Sequence, residues 1–352
     1  MTFLKNTWYV AANASELDEP MVSRKICNEQ IVMFRNSDGS VAAIQDRCPH
    51  RFVPLSMGKR VGDTLQCGYH GLAFDGTGAC VDAPHDDDSQ KARACVKGYA
   101  VVERHKWIWI WMGNAAEANP DLIPDFGFFD DTEKFTCCQG YTHMNGNYQL
   151  ISDNLLDLSH IHYLHPGVHE GSNFEDFTNK VKREGDTVYS MLYRHHYHID
   201  AAKRPMYGMV EGPEDVEGQG HARWDAPGVL FVDTAFWDHG TTIDDGYRTP
   251  NAHLITPETE TSSHYFWGSG RTFMLDVPQV TEMAAATMKT VFETQDGPMI
   301  EAQQRDMGTS TDFLKHNPII LTADAAGVMA RRIMQQKIKA EASGSDLAIA
   351  AE

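Results

Sequence analysis

The sequence lacks both an uninterrupted apolar run long enough to cross a membrane and an excess of basic residues. Of its 352 residues, Lys and Arg make up 30 and Asp and Glu make up 49, so the formal net charge is −19. A transmembrane helix needs about 20 mostly apolar residues in a row. Binding to nucleic acid or to an anionic membrane surface needs clustered Lys and Arg. We therefore expect no membrane span and no nucleic-acid partner.

Three further absences bear on localisation and cofactors. The first residues show no basic segment followed by an apolar stretch, so we expect no secretory signal. No glycine-rich dinucleotide fingerprint or flavin motif is present, so we expect a separate reductase to use NADH and pass electrons to this chain. The seven cysteines form no compact secreted framework, and their odd number favours a reducing compartment, the cytoplasm.

Short β patterns in the first third of the chain predict an all-β domain over residues 1–115. Gln30–Phe34 and Val41–Ile44 are predicted strands. Val101–Trp111 is predicted as one long strand, and the alternation of Trp and Ile in its second half predicts burial on both faces. The following segment, Asn114–Asp130, is rich in Asn, Asp and Pro and is predicted to link this domain to the next.

Residues 116–352 combine helical and strand patterns. Apolar spacing predicts a helix over Tyr148–Leu164, strands between residues 180 and 275, and helices over residues 278–304 and 322–342. The second domain is therefore expected to be α+β, and the whole chain to be a two-domain α+β protein.

Two short segments of the first domain each carry one Cys and one His. Cys48 and His50 are separated by one residue, Cys67 and His70 by two, and sixteen residues lie between the pairs. A structural zinc finger groups its ligands as a Cys pair and a His pair. A Rieske [2Fe–2S] centre binds one iron with two thiolates and the other with two imidazoles. Two loops that each supply one ligand to each iron favour the Rieske centre over zinc.

A second cluster of polar residues lies in the predicted helix of the second domain. Asn154, Asp157 and His160 follow one another at i, i+3 steps, so their side chains are expected to be neighbours. His162 points the other way, and Pro166 disfavours helical geometry at the residue before it, His165. The helix should therefore end or distort near residue 164, which would turn His165 back toward His160.

Two imidazoles and one carboxylate form the facial triad of non-haem Fe(II) oxygenases, which leaves positions open for O₂ and substrate. The carboxylate has to come from a distant part of the chain. Our choice is Asp296, and the rival carboxylates are Glu293, Glu301 and Asp306. The local sequence leaves these four open.

A further group of histidines lies in the segment Arg194–His198. In a strand, His196 and His198 would share a face, and two imidazoles alone make a weak metal site. We therefore expect a polar strand or a pocket wall at this position.

Taken together, these motifs resemble the oxygenase component of the Rieske non-haem iron oxygenases, in the vanillate and dicamba O-demethylase branch. The resemblance covers nearly the whole chain. Its supporting segments are Asn6–Ala12, Ile108–Trp111, Asp153–Leu158, Thr256–Glu260 and His264–Gly268.

The resemblance implies an N-terminal β Rieske domain followed by a helix-grip-type catalytic domain, an antiparallel sheet flanked by helices. It also implies a head-to-tail homotrimer. Asp296 matches the carboxylate ligand of the mononuclear iron, and Asn154 matches a polar residue near it. Asp157 matches the residue that bridges a Rieske histidine of one subunit, here His70, to an iron-binding histidine of the next, here His160.

The resemblance also implies the chemistry. Electrons from NADH would pass through a reductase, a ferredoxin or both to the Rieske cluster and then to the mononuclear iron, where O₂ is used to oxidise a C–H bond of an aromatic substrate. If that C–H bond belongs to a methoxy group, a hemiacetal forms and collapses to a phenol and formaldehyde. A methoxylated aromatic acid of the vanillate type is the expected substrate.

Substrate contacts are less well defined by the sequence. His253 matches a carboxylate contact of the dicamba branch, whereas a family Asn is replaced near Leu230 and Phe231. Core packing is expected for the aromatic residues that could otherwise stack on a substrate ring, namely Phe231, Phe236, Trp237 and Trp267.

Two alternatives stay open at this point. One is a Rieske monooxygenase that hydroxylates or N-demethylates another aromatic. The other is a Rieske electron carrier with no chemistry of its own, against which the size of the second domain argues. The sequence identifies neither the substrate nor the reductase.

Overall fold

The computed structural model of the chain describes residues 3–85, 88–165, 177–199, 204 and 215–344. It divides into two compact units, one formed by Lys5–Pro124 and the other by Asp125–Glu352 with Met1–Leu4. This division falls inside the predicted linker Asn114–Asp130, which also contains the predicted boundary at residues 115/116. No helix among the described residues is long and apolar enough to span a bilayer.

The first unit is built from three small antiparallel sheets, with strand orders β1-β10-β9, β2-β3-β4 and β5-β6-β7-β8. One short helix, α1 (Asp88–Arg93), follows β8. The strands are β1 (Trp8–Asn13), β2 (Val22–Ile26), β3 (Glu29–Arg35), β4 (Val41–Gln45), β5 (Lys59–Val61), β6 (Thr64–Gln66), β7 (Ala73–Asp75), β8 (Cys80–Asp82), β9 (Ala100–Arg104) and β10 (Trp107–Trp111).

The prediction of one strand over Val101–Trp111 is wrong, because this segment is a hairpin. Strands β9 and β10 pair directly, with Arg104 opposite Trp107. The two residues between them, His105 and Lys106, have φ of 55° and 68°, as a type I′ turn requires. No Asn-Gly or Asp-Gly pair marks this turn in the sequence. The predicted burial of the Trp and Ile residues of β10 is confirmed.

The second unit is a seven-stranded antiparallel sheet with helices, in the strand order β11-β17-β16-β15-β14-β13-β12. Its strands are β11 (Thr136–Met144), β12 (Phe177–Glu184), β13 (Thr187–His198), β14 (Asp215–Asp225), β15 (Val229–Asp238), β16 (Tyr247–Pro257) and β17 (Ser263–Arg271). Its helices are α2 (Tyr148–Leu156), α3 (Ile161–Leu164), α4 (Pro278–Val291), α5 (Gly297–Met307) and α6 (Ala325–Ser343). The expected fold class, an α+β chain with an antiparallel catalytic sheet, is confirmed.

Four large or polar side chains form a row across the middle of this sheet. His253 of β16 lies opposite Leu230 of β15 on one side and Trp267 of β17 on the other. Leu230 in turn lies opposite Trp224 of β14. Residues directly opposite one another project from the same face of a sheet, so these four side chains form one continuous, buried wall. We call Trp224, Leu230, His253 and Trp267 the His253 row.

The row is extended by a glycine that makes room for an indole. Gly140 of β11 lies opposite Trp267, and a Cβ atom at Gly140 would lie 2.0 Å from the six-membered ring of that Trp. No ordinary contact between carbon atoms is that short, so the ring occupies the space that any other side chain would need.

We expect the substitution Gly140→Ala to lower the free energy of unfolding by about 1–3 kcal/mol, the usual cost of overpacking a core. Chemical denaturation followed by Trp fluorescence measures the change. In the background Trp267→Leu, which removes the ring, the same substitution should cost far less, because the two positions are in contact. An equal cost in both backgrounds would show that Gly140 is not needed for the indole.

Candidate metal centres

The two Cys/His segments of the first unit fold into loops with the same hydrogen-bond pattern. In the first loop, the Cys48 amide donates to the Val53 carbonyl (2.9 Å), and the Phe52 amide donates to the Cys48 carbonyl (2.9 Å). Phe52 has a φ of 62°, which reverses the chain direction within the loop.

The second loop repeats this arrangement at the equivalent positions. The Cys67 amide donates to the Leu72 carbonyl (2.8 Å), and the Gly71 amide donates to the Cys67 carbonyl (3.1 Å). Gly71, at φ 79°, takes the place that Phe52 has in the first loop. Two loops of the same shape therefore each present one thiol and one imidazole.

The two loops bring the two cysteines together and, separately, the two histidines together. The thiols of Cys48 and Cys67 are buried and within hydrogen-bonding reach of each other. The rings of His50 and His70 are 4.5 Å apart between centroids, and that of His50 is exposed. Burial and the neighbouring thiol raise the pKa of Cys48 above its usual range, so a positively charged metal is what would favour its thiolate.

The spacing of the donors decides between one metal and two. The donors of a tetrahedral zinc site are all roughly 3.3–3.8 Å apart, given bonds of about 2.0–2.3 Å. Among the described residues, the groups of three or more donors lying within 4.8 Å of one another include none of these four side chains. A Cys pair and a separate His pair instead fit a [2Fe–2S] cluster of the Rieske type.

The second candidate centre brings together two histidines and a carboxylate of the second unit. The Oδ1 atom of Asp296 lies 3.4 Å from Nε2 of His160 and 3.5 Å from Nε2 of His165. The rings of the two histidines are 5.2 Å apart between centroids. Their donor atoms all lie within 4.8 Å of one another, which is the spacing that a single metal ion needs.

The segment Tyr148–Leu164, which was predicted to be one helix, forms two helices separated by a break. Helix α2 ends at Leu156, and Asp157 has extended backbone angles (φ −85°, ψ 95°). The chain becomes helical again only at α3, so the prediction that Asp157 and His160 are neighbours on one continuous helix is wrong. The predicted distortion at His165 is confirmed by its non-helical angles (φ −109°, ψ 79°). Pro166, on which that prediction rested, lies outside the described residues.

Each imidazole is oriented by a hydrogen-bond acceptor that its Nδ1 atom contacts. Nδ1 of His160 contacts the backbone carbonyl of Asp157, and Nδ1 of His165 lies 2.7 Å from Oε1 of Gln295. Because a carbonyl or amide oxygen only accepts, each Nδ1 carries the proton and each Nε2 turns a lone pair toward the site. Gln295 was not identified from the sequence, since nothing local indicates which side chain meets His165.

Asp296 is positioned by an interruption in the predicted helix over residues 278–304. Five residues, Phe292–Asp296, form a π-helical turn between α4 and α5, a feature that is frequent at functional sites. Pro298, the second residue of α5, has no amide hydrogen to donate. A Cβ atom at Gly297 would lie 2.6 Å from the Phe292 carbonyl oxygen, so the tight approach at this turn requires glycine.

The rival carboxylates do not join the site. Glu293 and Asp306 are exposed, and Glu301 accepts hydrogen bonds from Asn145. Asp296 is only 1% exposed. It therefore stays our choice for the carboxylate ligand.

The groups that contact Asp296 do not balance the negative charge of its carboxylate. Asn154 donates from Nδ2 to Asp296 Oδ1 (3.0 Å). Burial disfavours protonation of His160, but the hydrogen bond and attraction to Asp296 outweigh it, so the pKa of His160 lies above its usual value. A buried carboxylate that draws a proton onto a nearby imidazole fits a site built for a cation. The buried Oδ1 of Asn154 has no hydrogen-bond partner among the described residues, which also fits a bound polar group.

Two other predicted positions lie close to this centre. The carboxylate of Asp157 accepts hydrogen bonds from the amide (2.9 Å) and the hydroxyl (2.6 Å) of Ser159, both through Oδ1. His253 contacts the edge of Phe292, with centroids 5.7 Å apart, and its Nδ1 lies 2.5 Å from the hydroxyl of Tyr265. The His253 row therefore faces the turn that carries Asp296.

One histidine of β13 lies in an exposed cluster of possible metal donors. A bulge between Arg194 and Tyr197 gives His196 a φ of 55°. Its ring then lies with Asp215 and His239, all three exposed and with donors within 4.8 Å of one another. Asp215 is also directly opposite His198, so the expected placement of His196 and His198 on one face agrees with the contact between His196 and Asp215.

Two family models together match most of the chain. Residues 7–100 match the Rieske [2Fe-2S] domain and residues 144–340 match the vanillate O-demethylase oxygenase C-terminal domain. The chain is 38% identical to the oxygenase component of chloroacetanilide N-alkylformylase from Rhizorhabdus wittichii, over 99% of both chains. It is 35% identical to the oxygenase component of dicamba O-demethylase from Stenotrophomonas maltophilia, over 97% of this chain and 100% of that one.

A solved structure shows the same likeness. The crystal structure of dicamba monooxygenase bound to 3,6-dichlorosalicylic acid superposes with a TM-score of 0.90 at 34% sequence identity. It covers 97% of this chain and 100% of that chain. The similarity thus extends through both units and both candidate metal centres.

Iron analysis of variants tests the two centres independently. The purified chain should hold three irons, two in the cluster and one at the mononuclear site. We expect Asp296→Ala to retain the two cluster irons and its visible spectrum, and Cys48→Ser to lose the cluster while keeping the third. Glu293→Ala and Cys80→Ser are the matched controls and should retain all three. Loss of the cluster in Asp296→Ala, or three irons in either test variant, would contradict the ligand assignment.

Proposed function

The chain belongs to the Rieske non-haem iron oxygenases, and from this premise we propose that it removes an alkyl group from an aromatic substrate, with O-demethylation as the favoured reaction. It is the oxygenase component of a multicomponent monooxygenase. The observation that carries the proposal is the convergence of His160, His165 and Asp296 on one position, in a chain that also carries a Rieske domain. A pure electron carrier has no use for the second centre.

The residues of the two centres have separate tasks. Cys48, Cys67, His50 and His70 would hold the [2Fe–2S] cluster, and His160, His165 and Asp296 would hold Fe(II). When bound, the cluster supplies single electrons and the Fe(II) site supplies O₂ activation. Gln295 fixes the tautomer of His165, and Asn154 holds the Asp296 carboxylate in place through its amide.

We assign Asp157 to the hydrogen-bonded path that carries the electron between the two metal centres. Its carboxylate is half-buried and lies on a cleft of about 580 Å³ that Asn154 and His160 also line. Its backbone carbonyl already contacts His160. In the proposed assembly, the carboxylate accepts the ring N–H of His70 from another copy of the chain, which gives a short hydrogen-bonded path for the electron.

Exposed apolar side chains support a head-to-tail homotrimer. Phe52 and Tyr69 stand exposed beside the ligands of the first unit, and Tyr163, Ile319 and Leu321 stand exposed on the second. Apolar surface of this kind commonly marks an interface between chains. Contact between unlike surfaces of neighbouring copies produces a closed ring when the rotation closes.

The electron donor and the compartment follow from the same proposal. The donor is a separate NADH-dependent reductase, a ferredoxin or both. None of the seven cysteines is paired in a disulfide, which supports work in the reducing cytoplasm.

N-dealkylation is the second candidate reaction. It is favoured by one observation, namely that a relative 38% identical over 99% of the chain is the oxygenase component of an N-alkylformylase. Both reactions oxidise the carbon attached to a heteroatom and release an aldehyde. Hydroxylation of a ring carbon releases none.

Product analysis tests the proposed reaction. The reduced, iron-loaded protein is mixed with O₂ and a panel of methoxy-substituted and N-alkyl-substituted aromatics, and formaldehyde and the aromatic product are quantified together. We expect formaldehyde and a phenol in equal amounts. An amine in place of the phenol would identify the second candidate, and ring-hydroxylated products without formaldehyde would refute both.

Replacing Asp157 by Asn should slow turnover without removing iron. We expect unchanged iron content and an about 10–100-fold loss of steady-state activity, the usual contribution of a group that orients metal ligands. The control is Asp324→Asn, which removes a carboxylate from the same cleft and should have little effect. Near-normal turnover in Asp157→Asn, or an equal loss in both variants, would show that Asp157 is not the link.

A further inference from the structure

We propose that the second unit carries a further metal site, for Zn²⁺ or a similar divalent cation, formed by His196, Asp215 and His239. We call these three residues the bulge site. Its role is to join the ends of three neighbouring strands, β13, β14 and β15. The inference is independent of the reaction proposed above, because none of the three residues belongs to either iron centre.

An irregularity in β13 turns two adjacent histidines toward the same side of the sheet. The pairing of β13 with β14 shifts between Arg194 and Tyr197, so that His195 and His196 together lie across from Glu217. Arg194 and Tyr197 are both buried, whereas the two histidines between them are both exposed. A regular alternation of side chains cannot produce this order, but a β-bulge does. The bulge therefore presents two imidazoles on the solvent-facing side.

The neighbouring strands supply the other donors on this side. Asp215 begins β14 and lies opposite His198. His239 directly follows β15, whose last residue, Asp238, lies opposite Val216. Extending that register by one residue places His239 across from Asp215. The carboxylate of Asp215 therefore lies between an imidazole of β13 and the imidazole that follows β15.

The distances within the bulge site are those of donors on one ion. Oδ2 of Asp215 lies 3.2 Å from Nδ1 of His196, and two donors of a tetrahedral metal are roughly 3.3 Å apart when the bonds are about 2.0–2.1 Å long. The rings of His196 and His239 are 5.0 Å apart between centroids, close to the 5.2 Å between His160 and His165 at the proposed iron site. One donor atom from each of the three residues lies within 4.8 Å of the other two.

Glu217 orients one ligand of the bulge site. Its Oε1 lies 3.0 Å from Nδ1 of His239, and its Oε2 lies 3.3 Å from Nδ1 of His195. Because a carboxylate only accepts, Nδ1 of His239 carries the proton and Nε2 carries the lone pair that a metal requires. Metal-binding imidazoles commonly donate their other N–H to a carboxylate in this way.

The charges at this position also favour a cation. Asp215 and Glu217 are two residues apart on β14, so both carboxylates project from the same side of the sheet. Within the part of the chain that the structure describes, their ion-pair contacts are with histidines alone, which are neutral unless protonated. A divalent ion would balance both negative charges. Two imidazoles favour Zn²⁺, Co²⁺ or Ni²⁺ over Mg²⁺ and Ca²⁺, which prefer oxygen ligands.

The position of the bulge site indicates a structural role. Asp238, next to His239, is eight residues from Leu230 of the His253 row along β15, a distance of roughly 26 Å at about 3.3 Å per residue. An ion that far from the row takes no direct part in the oxidation. It would instead join β13 to β15, which are each hydrogen-bonded to β14 and not to each other.

Zinc binding by the iron-loaded chain tests the site. Equilibrium dialysis against ⁶⁵Zn²⁺, with iron measured before and after, should give one zinc per chain and no loss of iron. The variant Asp296→Ala, in which the mononuclear centre is disabled, should also bind one zinc. Co²⁺ or Ni²⁺ should displace the zinc, whereas Mg²⁺ and Ca²⁺ at the same concentration should not.

Three variants locate the bound zinc. His196→Asn and His239→Ala should each weaken zinc binding at least about tenfold, since even a group that only orients a metal ligand commonly contributes about 10–100-fold. Asn is chosen at position 196 because it tolerates the positive φ found there. The matched control is His143→Ala, which removes an exposed histidine of β11 that contacts Glu258 and should leave zinc binding unchanged. Full iron content in all three variants shows that they are folded.

Hydrogen exchange followed by mass spectrometry tests the structural role. Zinc should slow the exchange of backbone amides at the ends of β13, β14 and β15, because it stabilises the local fold there. We expect this effect in the wild-type chain and in His143→Ala, but not in His239→Ala.

No bound zinc beyond the mononuclear centre, equal affinity in His196→Asn, His239→Ala and the wild-type chain, or equally ready displacement by Mg²⁺ would overturn the proposed metal site. Zinc binding that leaves hydrogen exchange at these strand ends unchanged would overturn its role in joining them.

Discussion

One buried negative charge organises the second half of this molecule. Asp296 is almost fully enclosed and meets two imidazoles and one amide, none of which carries a fixed positive charge. A carboxylate in such a position is costly unless a cation balances it. The helix break that places His160, the π-helical turn that places Asp296 and the acceptors that orient both imidazoles are all consistent with one purpose, which is to surround a divalent metal on one side.

The two centres meet opposite demands with different local structures. In the first unit, the two loops bury the thiols and leave an imidazole exposed, so a cluster held by these proposed ligands would be insulated on one side and accessible to an electron donor on the other. In the second unit, the proposed ligands come from helix ends and the remaining side faces the His253 row. The exposed centre suits electron exchange, and the enclosed one suits a reaction from which water is kept away.

The sequence predicted those features that depend on residues close together in the chain. The sequence could predict that Cys48/His50 and Cys67/His70 come together in two similar loops, because each loop is local and its spacing fits the ligand geometry of a cluster. His160 and His165 were likewise evident from their short separation. Asp296 was harder, since its partners are more than a hundred residues away, and only the family resemblance favoured it over Glu293.

Features set by non-local packing were missed. The hairpin at His105 and Lys106 has no turn-forming glycine, and the bulge at His196 has no signal in the sequence. The π-helical turn interrupts an apolar pattern that is otherwise helical. The His253 row depends on strand register, which brings Leu230, His253 and Trp267 side by side from three different strands.

The most direct test of the account is a Mössbauer spectrum of the reduced protein enriched in ⁵⁷Fe. We predict three components of equal area: a ferric and a ferrous iron of a [2Fe–2S] cluster, with the ferrous one bound by His, and a high-spin Fe(II) with nitrogen and oxygen ligands. A spectrum with the cluster alone, or a protein that holds zinc in place of iron, would contradict the two-centre account.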